Sequence, residues 1–394
     1  MRKIKINMPK KYDRWIHASV IVLIILGSLM IVSTSVGETS NNNAVVIKTL
    51  IKQSAFVLVA YVAMVLFANS FSFEKAMKKI RLVGAGIVIL LIACFFFDPV
   101  GGARSWIRFS LPGIGQFTIQ PSEFMKVFMI VLMAVVVEKV KKSHLDWWSI
   151  VKIPFSFYMI GAILILLQND TGSFIVLSLI CVICLLIPTH PSLTRLQKVM
   201  GILLVCGSCF LVFIASDLGL HLLEKMDFID NYIIKRFTMA SNPWLDETDK
   251  GYQLINSLYA FASGGWTGVG FGQSIQKMGY LPEASTDYIL ATTVEELGIS
   301  GFLVILGGYG IIIFRLFQYA FLTRKEGYKI LYIGTAMFLF IHFVFNVGGV
   351  TGLIPLTGVP LLFISSGASS LVSVCSAIGI CQAVLAKENR ERAS

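Results

Sequence analysis

Residues 15–36 read WIHASVIVLIILGSLMIVSTSV, an apolar run directly behind the basic segment Met1 to Arg14. Crossing about 30 Å of hydrocarbon takes roughly 20 helical residues, because each adds about 1.5 Å. This run has that length. Inside lipid its backbone polar groups must bond one another, so it reads as a helix rather than a strand. A basic flank before an apolar run also describes a secretory leader. Here the run is long, lacks a clear small-residue cleavage site and precedes further runs, so it is read as a retained helix.

Working outward, similar runs place spans at 15–36, 50–70, 81–98, 122–138, 150–168, 171–188, 198–216, 287–314, 328–348 and 361–386. The expected fold is an all-α integral membrane protein, a polytopic bundle of about ten transmembrane helices forming one domain over 1–394. Composition agrees, since 394 residues that are 56% hydrophobic and 14% charged have too little polar surface for a soluble domain.

Basic residues orient the bundle. One set of segments holds Arg2, Lys3, Lys5, Lys10, Lys11 and Arg14, then Lys75, Lys78, Lys79 and Arg81. It continues through Lys139, Lys141, Lys142, Lys152, Arg195 and Lys198, and ends with Arg315, Arg324, Lys325, Lys329, Lys387, Arg390 and Arg392. That is 23 of the 33 lysines and arginines. The positive-inside rule therefore puts both termini, 1–14 and 387–394, in the cytoplasm, which requires an even number of spans. The net charge of +11 is topological, and spread over separate segments it gives no nucleic-acid footprint. The seven cysteines all fall in apolar runs and the five histidines are scattered, so a zinc or haem site has little support.

The longest segment between spans, 217–286, is then extracytoplasmic and precedes the eighth helix. Trp244, Tyr252, Trp266 and Tyr280 argue that it is folded. Leu218 to Phe237 has the mixed character of an interfacial helix. Gly264, Gly265, Gly268, Gly270 and Gly272 imply tight backbone packing near a surface or ligand.

Ionisable groups gather at the outer helix ends. Glu123 and Lys126 are neighbours on one helical face, as a self-neutralising pair or as substrate contacts. Arg104 and Arg108 either grip phosphate by bidentate geometry or snorkel to headgroups. Asp287 follows Ser285 and Thr286, either of which could cap the eighth helix. An acid in that first turn is stabilised by the dipole, typically by about 0.3–1 kcal/mol, which depresses its pKa. Glu295 and Glu296 fall roughly 12–14 Å further along, near mid-bilayer. Charge there costs on the order of 2.5–3.5 kcal/mol, so each must be paired, cavity-facing or protonated, and a buried network is expected for at least one.

Taken together, these segments resemble the SEDS family (shape, elongation, division and sporulation), which includes FtsW, RodA and SpoVE. The resemblance runs through Gly102-Ala103-Arg104 with Trp106, Gln120-Pro121-Ser122-Glu123 to Lys126, and Gln168 with Asp170 and Gly172. It continues in Gly251-Tyr252-Gln253, Ser263-Gly264-Gly265, Gln276-Lys277, Tyr280 to Ala284, Thr286-Asp287 and Glu295 to Gly298. It closes with Asn346, Pro355 to Pro360 and Phe363-Ile364-Ser365. The runs 257–260, 268–272 and 276–277 are closer to the FtsW and SpoVE branch. Asn169, Thr171, Ser285, Ser366 and Ala368 depart from the family's usual residues and leave the pocket's shape and substrate variant open.

The resemblance implies a peptidoglycan glycosyltransferase of the bacterial cell membrane, its active site extracytoplasmic and its place including the division septum. It implies lipid II as substrate, a class B penicillin-binding protein as partner, and other divisome or elongasome membrane proteins nearby. Asp287 would be the general base. Arg104, Glu123, Lys126, Asp170, Lys277 and Glu283 would bind substrate or support the pocket. A divalent cation, magnesium or manganese, is compatible with such a site. A lipid II flippase and a non-catalytic divisome scaffold are the competing readings; the first predicts lipid movement without new glycosidic bonds, the second tolerance of Asp287 loss.

Overall fold

The computed structural model describes residues 7–37, 43–111, 115–140, 146–214, 216, 219, 237–248 and 251–392. The helices are α1 (Arg14–Gly37), α2 (Asn43–Ser70), α3 (Phe73–Ala93), α4 (Pro121–Val140), α5 (Trp147–Leu167), α6 (Thr171–Leu186) and α7 (Thr194–Ile214). They continue with α8 (Tyr252–Gly264), α9 (Ile289–Leu322), α10 (Glu326–Val350) and α11 (Ala368–Glu391). Among the described residues, eight of these are long and apolar enough to span a bilayer, namely α1, α2, α3, α5, α7, α9, α10 and α11.

With α4 and α6, each expected span has its helix. Helix α6 is short, at 16 residues. Helix α4 carries Glu123, Lys126, Glu138 and Lys139, too many charges for a lipid-facing helix. Its position explains this: every residue from Met125 to Val135 is buried, with α3, α5, α6, α10 and α11 packed around it. Helix α7 is the opposite case, with Ile202, Val205 and Val212 all more than 60% exposed, as expected of a face that meets lipid.

The start of α1 and the end of α11 lie at the same end of the bundle. There Asp13 ion-pairs with Arg315, and the Asp13 backbone N–H donates to Gln382 Oε1 at 2.9 Å. Lys11 and Asn389 exchange hydrogen bonds at the same end.

Two local features differ from expectation. A two-stranded antiparallel hairpin, β1 (Ile107–Leu111) and β2 (Gly115–Ile119), joins α3 to α4 and pairs Phe109 with Phe117. The last helix begins at Ala368 rather than near 361, because 355–367 form an irregular segment fastened over the start of α9. The interfacial helix expected between Leu218 and Phe237 falls almost entirely outside the described residues.

Candidate active site

Asp287 stands in the turn that leads into α9. Thr286 N–H and Tyr288 N–H both donate to the Glu283 carbonyl, at 3.2 and 3.1 Å. Groups distant in sequence then fix this turn. Asn346 of α10 donates through Nδ2 to the Asp287 carbonyl at 2.9 Å and to the Val359 carbonyl at 3.1 Å. Ser365 Oγ donates to the Thr286 carbonyl at 2.8 Å while accepting from Leu361 N–H at 2.9 Å. Ser366 N–H donates to the Ser285 carbonyl at 2.9 Å.

The backbone of Asp287 is thus clamped, whereas among the described residues no donor bonds its carboxylate. Gly358 leaves room beside it: a Cβ there would lie 3.8 Å from Asp287 Oδ2. Burial strips hydration from the carboxylate and the nearby Glu283 adds like charge, which together push the Asp287 pKa up to about 6. The dipole-lowered value expected from the sequence is corrected here. Among the described residues no side-chain hydrogen bond caps α9, and Thr286 Oγ1 donates to Glu283 Oε2 at 2.6 Å.

The structure brings Asp170 and Arg104 to the same end. Asp170 caps α6, accepting from Ser173 N–H at 3.0 Å and from Gln120 Nε2 at 2.9 Å. Two residues on, a Cβ at Gly172 would sit 2.3 Å from the Thr357 carbonyl oxygen, so α6 starts against the segment that clamps Asp287. The exposed Arg104 is tied to the turn before α6 by its N–H to the Gln168 carbonyl, 2.9 Å. Arg108 is employed otherwise, donating to the carbonyls of Asp98 and Pro99 at 2.8 and 3.1 Å.

Glu123, Lys126 and Lys277, expected as substrate contacts, have no exposed side-chain surface. Lys126 Nζ lies 2.6 Å from Glu123 Oε1 and 3.4 Å from His342 Nε2. The other ring nitrogen, Nδ1, is 3.1 Å from the Pro360 carbonyl. That carbonyl can only accept, so Nδ1 carries the proton and Nε2 accepts from Lys126, which makes His342 neutral. The cluster therefore ties α4 and α10 to the clamping segment.

Lys277 Nζ lies 2.6 Å from Glu296 Oε1 and 2.9 Å from Ser33 Oγ of α1. Glu296 also accepts from Ser33 Oγ and from Gly272 N–H at 2.9 Å. Glu295 accepts from Ser274 Oγ and from Ile275 N–H, the latter at 3.0 Å. Both acids of α9 thus belong to a buried network. Their helix is interrupted at Gly298, whose φ of 69° and ψ of −169° are not helical.

Interrupting a helix at this depth frees backbone groups that lipid cannot satisfy. The glycine loop supplies the partners. Val269 and Gly270 N–H donate to the Glu295 and Glu296 carbonyls at 2.9 and 3.1 Å. In return Ile299 and Ser300 N–H reach the Gly265 and Trp266 carbonyls at 2.9 and 3.2 Å. A Cβ at Gly268 would lie 2.1 Å from the Glu296 oxygen. Part of the segment read as an external loop therefore packs beside α9, against its interruption.

Sequence reading missed His342, Ser33 and Ser274. The only mark of His342 is its position four residues before Asn346, on the same face of α10. Ser33, one of three hydroxyl residues in a row, and Ser274, between glutamines, carry no mark at all.

The chain is thus a membrane-spanning helix bundle in which the turn into α9 holds a backbone-clamped carboxylate that no donor among the described residues bonds. The FtsW, RodA and SpoVE cell cycle protein family matches over residues 13–390, and the chain belongs to this family. A Bacillus subtilis relative named "Probable peptidoglycan glycosyltransferase FtsW" is 33% identical over 95% of this chain and 90% of its own length. Stage V sporulation protein E of the same organism is 32% identical over 87% of this chain and 96% of its own. The RodA rod shape determining protein of Thermus thermophilus shares the fold at 19% identity, TM-score 0.62, covering 98% of this chain and 99% of that one. A structure titled for the coordination of polymerization and crosslinking by a peptidoglycan synthase complex aligns at TM-score 0.69 and 20% identity, covering 97% and 99%.

Proposed function

We propose that the chain polymerises lipid II into glycan strands on the outer face of the bacterial cell membrane, with Asp287 as general base. The observation that carries this reading is the Asp287 carboxylate, held by Asn346 and Ser365 through the backbone and left without a donor among the described residues. A base with a pKa of about 6 is ionised at neutral pH yet basic enough to share a proton in the transition state.

Asp287 takes the proton from the acceptor GlcNAc 4-hydroxyl as its oxygen attacks the donor MurNAc C1. The C1–O bond to the lipid diphosphate breaks, and the α-linked donor yields a β-linked product. A diphosphate leaves without protonation, so one carboxylate suffices where glycosidases generally use two. Arg104, exposed and anchored to the turn before α6, would neutralise the departing diphosphate. Glu283 raises the basicity of Asp287, and Asp170 holds the start of α6 beside the site. Glu123, Lys126 and Lys277 act as its frame, through their buried ion pairs. Among the described residues no three acidic or histidine side chains gather as a metal site, so a magnesium or manganese ion sharing the diphosphate charge would take the exposed Glu283 carboxylate and rely otherwise on substrate phosphates.

The Asp287 end is extracytoplasmic in this reading, because the opposite end carries Lys75, Lys79, Arg315, Lys325 and Arg390. A class B penicillin-binding protein is the proposed partner, since the linear strands made here need crosslinking. Other divisome or elongasome membrane proteins and a septal location accord with family membership. Incubating purified protein with lipid II, alone and with the partner, and sizing the products tests the reaction. Ladders of glycan that vanish with Asp287→Asn support it. Lipid II crossing the bilayer without new glycosidic bonds would replace it with transport.

A further inference from the structure

Helices α2 and α3 are consecutive, yet they scarcely touch. Helix α2 leans on α11 and α1, while α3 leans on α4 and α5. The gap between them is a cleft of about 580 Å³, within the usual range of about 300–1,000 Å³ for ligand pockets. Its walls are mostly apolar, with Phe67 on α2, Val83 and Ile87 on α3, Phe128 of α4 and Ile380 of α11, Ser373 and Ser376 of α11 being the polar exceptions. Around the connection between α2 and α3 the lining turns polar, with Ser70, Ser72, Lys75 and Lys79. Lys75 Nζ donates to the Ser70 carbonyl at 3.2 Å, which uses one of its three N–H groups. Both lysines are exposed.

We propose that this cleft holds one anionic glycerophospholipid of the surrounding bilayer, an acyl chain between α2 and α3 and the phosphate between Lys75 and Lys79. Apolar walls that end in two cations match the two ends of such a molecule, and basic pockets between membrane helices bind phosphate headgroups. A polyprenyl diphosphate has similar chemistry, but the position argues against substrate. Lys75 sits in the first turn of α3, whereas the Asp287 turn lies at the opposite end of the bundle. The 21 residues of α3 separate the two ends by about 31 Å. A phosphate at Lys75 is therefore a bilayer's width from Asp287. The occupant is a resident lipid of the opposite leaflet, in contact with α4, the helix that carries the Glu123–Lys126 pair. This holds whether or not Asp287 is the base.

The test is lipid retention by purified protein in detergent, read by native mass spectrometry. The probes are phosphatidylglycerol, phosphatidylcholine, glycerol phosphate and undecaprenyl phosphate. Phosphatidylglycerol should be retained, and the Lys75→Gln/Lys79→Gln variant should weaken it about thirtyfold, from the roughly 1 kcal/mol contributed by each lysine. Val83→Trp, which narrows the cleft between α2 and α3 and leaves both lysines, should weaken phosphatidylglycerol retention as well. Retention unchanged in either variant overturns the proposal. So does equal retention of glycerol phosphate, which would mark a plain anion site. Stronger retention of undecaprenyl phosphate than of phosphatidylglycerol would reassign the cleft to the polyprenyl carrier.

Discussion

Asp287 and Glu296 lie nine positions apart around the first turns of α9, and the fold treats them in opposite ways. Glu296 is sealed, with Lys277, Ser33 and Gly272 all directed at its oxygens. Asp287 is only half-buried, faces Glu283 rather than a cation, and is fixed through its carbonyl instead of its carboxylate. A buried charge with its full set of partners is a structural member. A carboxylate whose backbone is held and whose oxygens no described donor bonds is what the proposed general base requires, at some cost in stability.

The comparison can be broken most forcefully at the α9 interruption. Gly268→Ala sets a Cβ against the Glu296 carbonyl at a positive φ of 79°, and neither backbone can retreat. Folded yield should collapse, as measured by size-exclusion chromatography of the solubilised protein; normal yield would mean that the loop packing does not hold α9. Next in size, Asp287→Asn should lower the polymerisation rate by about 10²–10⁴-fold in a lipid II assay while the protein still elutes as a folded species. Glu296→Gln should do the reverse, destabilising by about 3–5 kcal/mol because Lys277 is left buried and unpaired. Thermal unfolding in detergent checks this, and an unchanged midpoint would show that the pair is dispensable.

Smaller effects sharpen the contrast. With a base whose pKa is raised to about 6, the rate should be lost as pH falls through that value and reach a plateau above it. A pH–rate profile with its acid limb near 4 would contradict the burial of Asp287. The same shift has a stability counterpart. The folded protein holds the Asp287 proton more tightly than the unfolded chain, so stability declines as pH rises from about 4 to about 6. Asp287→Asn should therefore be more stable than the parent at pH 8, by on the order of 1–3 kcal/mol, with the difference fading toward pH 4. At the bottom of the scale, Lys325→Met breaks an exposed pair with Glu391 and should shift stability by less than about 1 kcal/mol.

Sequence and structure divide along physical lines. Spans were legible because crossing hydrocarbon demands a run of apolar residues whose length is set by the bilayer, a one-dimensional requirement visible in any window. Helix α4 was legible for the same reason despite its charges, since Val127 to Val137 remains apolar. Asp287, Asp170 and Arg104 were marked by their motifs. Which acids are satisfied was not legible, because the partners of Glu296 come from residues 33, 272 and 277, distant in the chain.

The sequence by itself determined a helical membrane bundle and its approximate spans, since lipid imposes those on each segment separately, while motif residues marked the carboxylate at the head of α9. Only the tertiary structure decided that Lys126 and Lys277 are committed to buried pairs, that His342 is one of their neighbours, and that Asp287 sits at a raised pKa. Electrostatic energy depends on distance and hydration, and both are properties of neighbours that packing, not chain order, brings together.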